Sequence, residues 1–285
     1  MPAVSHALVT LRALLAVYGI ALAAHTLQSW RSLDGLDVLA GLWSLWSTLA
    51  VVACGILVFI ERAGAWRWAA GSAAVLVSWQ AISALAEGAG RVSGGALSIS
   101  GEVVWTLGDH APRMAVALAL AWAWSILAKN GTEDLPLQRL RRVAWLLCGA
   151  SAVMFLMHAG KLIFFPASVE ELLTRSLGRW NGYGWRPETV RHVLLGIGLV
   201  HVAAIIGIAV GRRRGPLCYM TVWGMMTSLS RLSAYSLFAW DEAFFRAANG
   251  GAALAALFLL PSWEPCRDES RLHQKDGTAR VDSDR

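Results

Sequence analysis

Two ionisable residues lie inside the apolar run "MFLMHAGKLIFF", residues 154–165. His158 and Lys161 are three residues apart, a spacing that puts both side chains on one face of a helix. A charged group at membrane depth costs about 2.5–3.5 kcal/mol on insertion scales, so such residues are candidates for function. The imidazole could relay a proton, ligate a haem or metal, or donate to a quinone carbonyl. The structural alternative is a His158 bonded to a neighbouring helix and a Lys161 that extends to the lipid headgroups.

A second polar group lies in "SLSRLSAYSLFAWDEAFF", residues 228–245. Arg231 and Tyr235 are four residues apart and share a helical face. Asp241 and Glu242 follow and could relay protons or charge. An arginine inside a membrane helix almost always faces the bundle interior and has a partner, so we expect this group to join His158 in one polar patch. The alternative is a salt bridge from Arg231 to one of the two acids.

His201 is the third candidate, in the middle of "GLVHVAAIIG". A haem needs axial ligands on two facing helices, and His158 with His201 could in principle supply them. Two matched pairs for a dihaem protein are not present, so we do not expect haem. The four cysteines form no CxxC pair, and no metal-binding motif occurs, so we expect no metal site.

The composition indicates an integral membrane protein. The 285 residues are 56% hydrophobic and 15% charged, with a mean hydropathy of +0.50. Soluble domains are usually about 25% charged. The net charge of +6 is concentrated between apolar runs, which favours cytoplasmic loops over nucleic-acid binding, and no nucleic-acid module is present. Catalytic motifs of soluble enzymes are also absent from the sequence.

The fold class that we predict is all-α, with about eight transmembrane helices arranged as two four-helix repeats. A span needs roughly 20 apolar residues. The first unit is 1–130, the second is 131–263, and 264–285 is a disordered cytoplasmic tail. The predicted spans are 7–27, 38–60, 67–87, 112–129, 141–165, 189–211, 216–239 and 244–262.

The basic residues predict the orientation. Of the 25 Lys and Arg residues, 15 fall on the side that holds both termini. The positive-inside rule then places both termini in the cytoplasm and the protein in the inner membrane. Loop 88–111 would lie outside, with some strand-like alternation and with Glu102, Asp109 and His110 solvated. Loop 166–188 would also lie outside and contain a short helix in the membrane interface.

The internal repeat rests on a glycine register. Laying residues 46–76 on 200–230 brings Gly55 close to Gly207, Gly64 close to Gly215, and Gly71 close to Gly224, at offsets of 151 to 153. His25 then corresponds roughly to His158. Four helices preserve orientation, so the repeats would be parallel and related by an axis along the membrane normal.

The second half resembles the DoxX-like membrane proteins. The segments that carry the resemblance are "FLMHAGKLIFFPASVEELLTRSLG" and "LLGIGLVHVAAIIGIAVGRRRGPL". In that family the first of four helices ends in a His/Gly–Lys–Leu pattern before an amphipathic segment, matched here by His158, Gly160, Lys161 and Leu162. A Gly-rich helix with a basic turn follows, here ending at Arg212. The resemblance covers mainly 141–262, with a degenerate copy in 7–129 that has Gln28 where the lysine would fall.

The resemblance implies redox work at the membrane with quinone. Members of the family include the membrane subunit of a thiosulfate:quinone oxidoreductase and partners of thiol or amine redox systems. We therefore expect a quinone-interacting membrane subunit of a quinone-linked oxidoreductase, with a partner redox subunit. The cofactor-binding residues would be His158, Lys161, Arg231, Tyr235 and His201. The alternatives are an eight-helix quinol-oxidising anchor, a transporter with its site between the repeats, and a non-catalytic scaffold.

Overall fold

The computed structural model describes residues 2–31, 38–60, 65–90, 96–130, 137–181 and 185–259. Within these ranges the chain forms nine α-helices and no strand. A 3-10 turn, Ser236–Ala239, joins the last two. The helices are α1 (Pro2–Arg31), α2 (Val38–Phe59), α3 (Trp66–Gly90), α4 (Ala96–Asn130), α5 (Leu137–Phe164), α6 (Ala167–Asn181), α7 (Pro187–Ala209), α8 (Arg214–Tyr235) and α9 (Trp240–Leu259).

Helices α1–α5 and α7 are long and apolar enough to cross a membrane. The protein is therefore a multi-pass membrane protein, and the predicted α-helical membrane class is confirmed. Helices α8 and α9 have 22 and 20 residues but are not among these six. Helix α8 carries a run of serines around Arg231, and α9 opens with Asp241 and Glu242. The total of eight spans stays a prediction.

The helices pack as two rings. Helix α1 packs on α2, α2 on α3, α3 on α4, and α4 on α1. The same order of contacts joins α5, α7, α8 and α9, while α6 lies against α7 and α8. The rings meet where α4 packs on α5 and α1 packs on α9, and one hydrophobic core runs through both.

Small residues let α9 lie close to its neighbours. A Cβ atom on Gly224 of α8 would be 2.4 Å from the backbone nitrogen of Gly250, and one on Gly251 would be 2.3 Å from Leu14 of α1. Membrane helices associate largely through such close packing of small residues. The "NGG" of α9 therefore joins the two rings.

The predicted outer loop 88–111 is wrong over most of its length, because α4 begins at Ala96. We expected the span to begin at Pro112, but the helix continues through this proline. Proline leaves the carbonyl four residues earlier without its usual donor, which membrane helices tolerate when they are packed by neighbours. The strand-like alternation is helical from Ala96 onward. Asp109 and His110 are therefore buried, at 9% and 5% exposure, rather than solvated.

Other predictions meet the structure in part. The short helix in 166–188 is present as α6, and Glu171 pairs with Arg175 on its exposed side.

The paired glycines of the predicted register differ in their packing. Gly71 has no atom within 4 Å of a built Cβ, whereas Gly224 is tightly packed. Gly64, loop residues 91–95 and the tail 264–285 lie outside the described residues.

Candidate functional site

Helices α4 and α5 approach each other closely through two glycines. The Met157 side chain of α5 occupies the space beside Gly108, and the Trp105 ring of α4 lies over Gly160. A Cβ on Gly160 would be 2.1 Å from the Trp105 ring, and a Cβ on Gly108 would be 2.2 Å from Met157. The absence of these two side chains brings the polar residues of both helices within bonding distance.

Asp109 joins the two residues of the opening motif. Its Oδ1 is 3.3 Å from Nε2 of His158, and its Oδ2 is 2.5 Å from Nζ of Lys161. The three side chains are 13%, 17% and 19% exposed, so the group is mostly buried and keeps some exposure. A carboxylate that pairs with both an ammonium and an imidazole can hold the imidazole in place and stabilise its protonated, positively charged form.

Sequence reasoning missed Asp109 because it was assigned to a loop. The signal was present: Asp109, His110 and Arg113 lie within Val103–Lys129, a segment apolar enough to span a membrane. Extending the helix across Pro112 would have placed three ionisable residues at membrane depth. The structural alternative for Lys161 was extension to the lipid headgroups, whereas its ammonium group pairs with Asp109.

The other face of α4 carries a second polar network, directed at α3 and α1. His110 Nδ1 lies 2.7 Å from Oε1 of Gln80, whose amide nitrogen donates to the hydroxyl of Tyr18. His110 Nε2 is 3.3 Å from Glu87 Oε2 and 3.4 Å from Arg113 Nη1. Asp109 and His110 are adjacent in sequence, so the two networks meet at α4.

Arg231 is held beside α9. Its Nε is 3.7 Å from Oε2 of Glu242, as the structural alternative predicted. The Tyr235 ring lies under the guanidinium group of Arg175, 5.5 Å away, and Asp241 is in the first turn of α9. The structure thus unites His158 and Lys161 with Asp109, and it places Arg231 with Glu242. A single cavity faced by all of them stays a prediction.

His201 is enclosed by aromatic rings. It is fully buried, with the Phe155 centroid 4.6 Å and the Trp223 centroid 5.6 Å from its own. Its Nδ1 is 2.8 Å from the Ile197 carbonyl oxygen and 2.9 Å from the Tyr219 hydroxyl. A cofactor could reach His201 only by displacing these rings, so its assignment to a cofactor site stays a prediction.

Two grooves lie away from this group, on the α2–α3 side. One has a volume of about 390 Å³ and the other about 640 Å³. Their walls are mostly apolar, as expected for surfaces that contact lipid chains. In the part of the chain that the structure describes, no three His, Cys, Asp or Glu side chains are grouped as metal ligands.

Comparisons of the chain with protein-family models, with curated proteins and with solved structures found no match.

Proposed function

We propose that the protein is a quinone-interacting membrane subunit of a redox complex, and that the quinone headgroup binds at Asp109, His158 and Lys161. The observation that carries the proposal is the shared carboxylate: one aspartate of α4 engages both residues of the α5 motif within apolar helices. Burying three ionisable groups among apolar helices is expensive, so their convergence favours a functional role over a structural one.

The chemistry of the group fits a quinone headgroup. Quinones dissolve in the hydrocarbon layer, so their site must be polar and open to the lipid side. The N–H groups of Lys161 and His158 can donate to a quinone carbonyl oxygen. Oxidation of a quinol releases two protons and two electrons; His158 would take up one proton, with its positive charge balanced by Asp109, and the second proton would be released to solvent. The electrons would pass to a partner redox subunit.

The two helix rings support the proposed internal repeat. If α1–α4 correspond to α5, α7, α8 and α9, then the α1–α9 and α4–α5 contacts exchange under a two-fold rotation. This pattern suits parallel repeats related by an axis along the membrane normal. We further propose the inner membrane as the location, with both termini cytoplasmic.

A transporter is the second candidate function. The specific observation in its favour is position: Asp109 belongs to one ring and His158 to the other, so the group lies between the two rings. A site between repeats is typical of transporters. A protonatable carboxylate–imidazole pair could there couple substrate movement to protons.

Two measurements distinguish these functions: the quinone that copurifies with the protein, and the binding of added quinone. The protein purified in mild detergent would be extracted with organic solvent, and the extract analysed for quinone. Short-chain ubiquinone and menaquinone would then be titrated while tryptophan fluorescence is recorded, because Trp105 lies on Gly160, within the α5 motif. We expect saturable quenching by one of the two. If the extract contains no quinone and neither quinone gives saturable quenching, the proposal is overturned in favour of a transporter or a scaffold.

Variants locate the site. His158→Leu should abolish saturable quenching while leaving the helical circular dichroism and the melting temperature close to those of the unchanged protein, since leucine suits apolar surroundings. His25→Leu is the matched control, because His25 is the counterpart of His158 in the predicted repeat and lies on α1. Full quinone retention in His158→Leu would show that the headgroup does not bind there.

A further inference from the structure

The larger of the two grooves on the α2–α3 side has a cationic end. Its volume is about 640 Å³, and Arg67, in the first turn of α3, lines it where that helix begins. Further along the two helices the lining is mostly apolar, with Leu49, Val52, Ile56 and Val75. One groove therefore combines a long apolar wall with a positive charge at its end.

Lys129 brings a second positive charge to this end. It lies in the last turn of α4, and its Nζ is 5.8 Å from the centroid of the Trp66 ring. The guanidinium carbon of Arg67 is 5.8 Å from the same ring centroid. Both cationic side chains are exposed, and no carboxylate in the described part of the chain forms an ion pair with either. Two cations thus share one tryptophan at the end of the groove.

The beginning of α3 favours an anion at the same place. This helix of 25 residues has no acidic residue in its first turn, so the partial positive charge of its N-terminal N–H groups is not offset there. Trp68, which also lines the groove, is 71% exposed. Exposed tryptophans are typical of the headgroup level of a membrane, which places the cationic end at that level and the apolar lining among the acyl chains.

We propose that this groove binds an acidic phospholipid, with the phosphodiester at Arg67 and Lys129 and an acyl chain along α2 and α3. A guanidinium donates paired N–H···O bonds to phosphate, and an ammonium group adds a compact positive charge. The volume of the groove falls within the range of about 300–1,000 Å³ that is usual for ligand sites. The site belongs to the ring of α1–α4, lies away from the Asp109 group, and does not depend on quinone binding.

Gly71 keeps the groove open. It is one of the lining residues, and a Cβ atom built on it has nothing within 4 Å. A larger side chain at this position would occupy the groove without displacing its own neighbours. Gly71→Leu therefore tests the place of the acyl chain separately from the place of the headgroup.

The experiment compares two lipids that differ in net charge. The full chain, purified in mild detergent and freed of lipid, is titrated with phosphatidylglycerol and, separately, with phosphatidylcholine of the same acyl chains. Both lipids carry a phosphodiester, but the choline cation cancels its charge. Native mass spectrometry gives the half-saturating concentration of the first bound lipid. We expect the value for phosphatidylglycerol to be about tenfold lower, because each nearby Lys or Arg adds attraction for an acidic headgroup. Binding to the folded state should also raise the melting temperature.

The charge variants test the headgroup site. Arg67→Gln/Lys129→Gln should bind phosphatidylglycerol only as weakly as phosphatidylcholine. Arg141→Gln/Arg142→Gln is the matched control, because it removes the same charge from two exposed arginines of α5. The control should keep the preference of the unchanged protein.

The glycine variants test the groove itself. Gly71→Leu should weaken the binding of both lipids. Gly196→Leu on α7 is the control, since its built Cβ also has nothing within 4 Å but it does not line the groove. It should bind both lipids as the unchanged protein does.

Three results would overturn the proposal: equal affinity of the unchanged protein for the two lipids, a preference retained in Arg67→Gln/Lys129→Gln, or lipid binding unaffected by Gly71→Leu. All the substituted residues are exposed, so the variants are expected to fold, and their melting temperatures without lipid verify this. If the double charge variant does not fold, Arg67→Gln alone must still lose part of the preference.

Discussion

Asp109 and Lys161 are 52 positions apart in the sequence, yet Oδ2 of the first lies 2.5 Å from Nζ of the second. The contact crosses from α4 to α5, and therefore from one helix ring to the other. His158 approaches the remaining oxygen of the same carboxylate at 3.3 Å. One aspartate thus holds two cationic or protonatable groups at the place where the rings meet.

Asp109→Leu should destabilise the protein by about 3–5 kcal/mol, because it leaves the ammonium group of Lys161 buried without its partner. The double variant Asp109→Leu/Lys161→Met should recover much of this loss, since two apolar side chains can replace a buried pair. Reversible unfolding in mixed micelles measures both. If the double variant loses as much unfolding free energy as Asp109→Leu and Lys161→Met lose separately when added together, the two groups do not interact energetically.

Gly160→Ala should destabilise the protein by about 1–3 kcal/mol, because its Cβ would collide with the Trp105 ring and force the ring to move. Gly149→Ala on the same helix is the matched control. It has nothing within 4 Å of a built Cβ, and should be neutral or stabilising by up to about 1 kcal/mol. Equal melting temperatures for the two variants would argue against the close approach of α4 and α5.

Gly224→Ala should be more harmful than Gly160→Ala, because the atoms near its Cβ are backbone atoms of Gly250 and Asn249 that cannot rotate away. Helices α8 and α9 would have to separate. Gly71→Ala, its counterpart in the predicted register, meets open space and should have little effect. Yield and melting temperature in detergent compare Gly224→Ala with Gly71→Ala. Equal values for the two variants would show that α8 and α9 do not pack closely at Gly224.

Glu242→Gln should change stability by no more than about 1 kcal/mol. Its side chain is 54% exposed and lies 3.7 Å from Arg231, and exposed ion pairs contribute little. The measurement is the free energy of unfolding of Glu242→Gln, compared with that of Asp109→Leu under the same conditions. A loss as large as that of Asp109→Leu would mean that the acid at the start of α9 is buried in the membrane.

A topology reporter tests the predicted orientation. Alkaline phosphatase fused after Gly178, in α6, should be active outside the cytoplasm, and a fusion at Arg285 should be inactive. The expectation rests on the concentration of basic residues on the side of the termini. The reverse pair of activities would invert the orientation.

Local sequence patterns predicted α6 and five of the six apolar helices well, all but α4. Apolar runs of about 20 residues have few alternatives in a membrane, because every backbone polar group must bond within a helix or a closed barrel. Pro112 misled the same reasoning, since proline ends most helices in water. In this chain the packed neighbours of α4 allow the helix to continue, and local sequence does not reveal those neighbours.

The sequence by itself determined the all-helical membrane class and put His158 and Lys161 on one face of a helix, because hydropathy and the helical period are local properties. Only the tertiary structure decided which residue meets them. Asp109 reaches both because Gly108 and Gly160 let two helices approach, and Arg231 pairs with Glu242 because α8 and α9 lie side by side. A polar side chain buried among apolar helices gains most from the nearest opposite charge or hydrogen-bond partner, and helix packing brings that partner from a distant part of the chain.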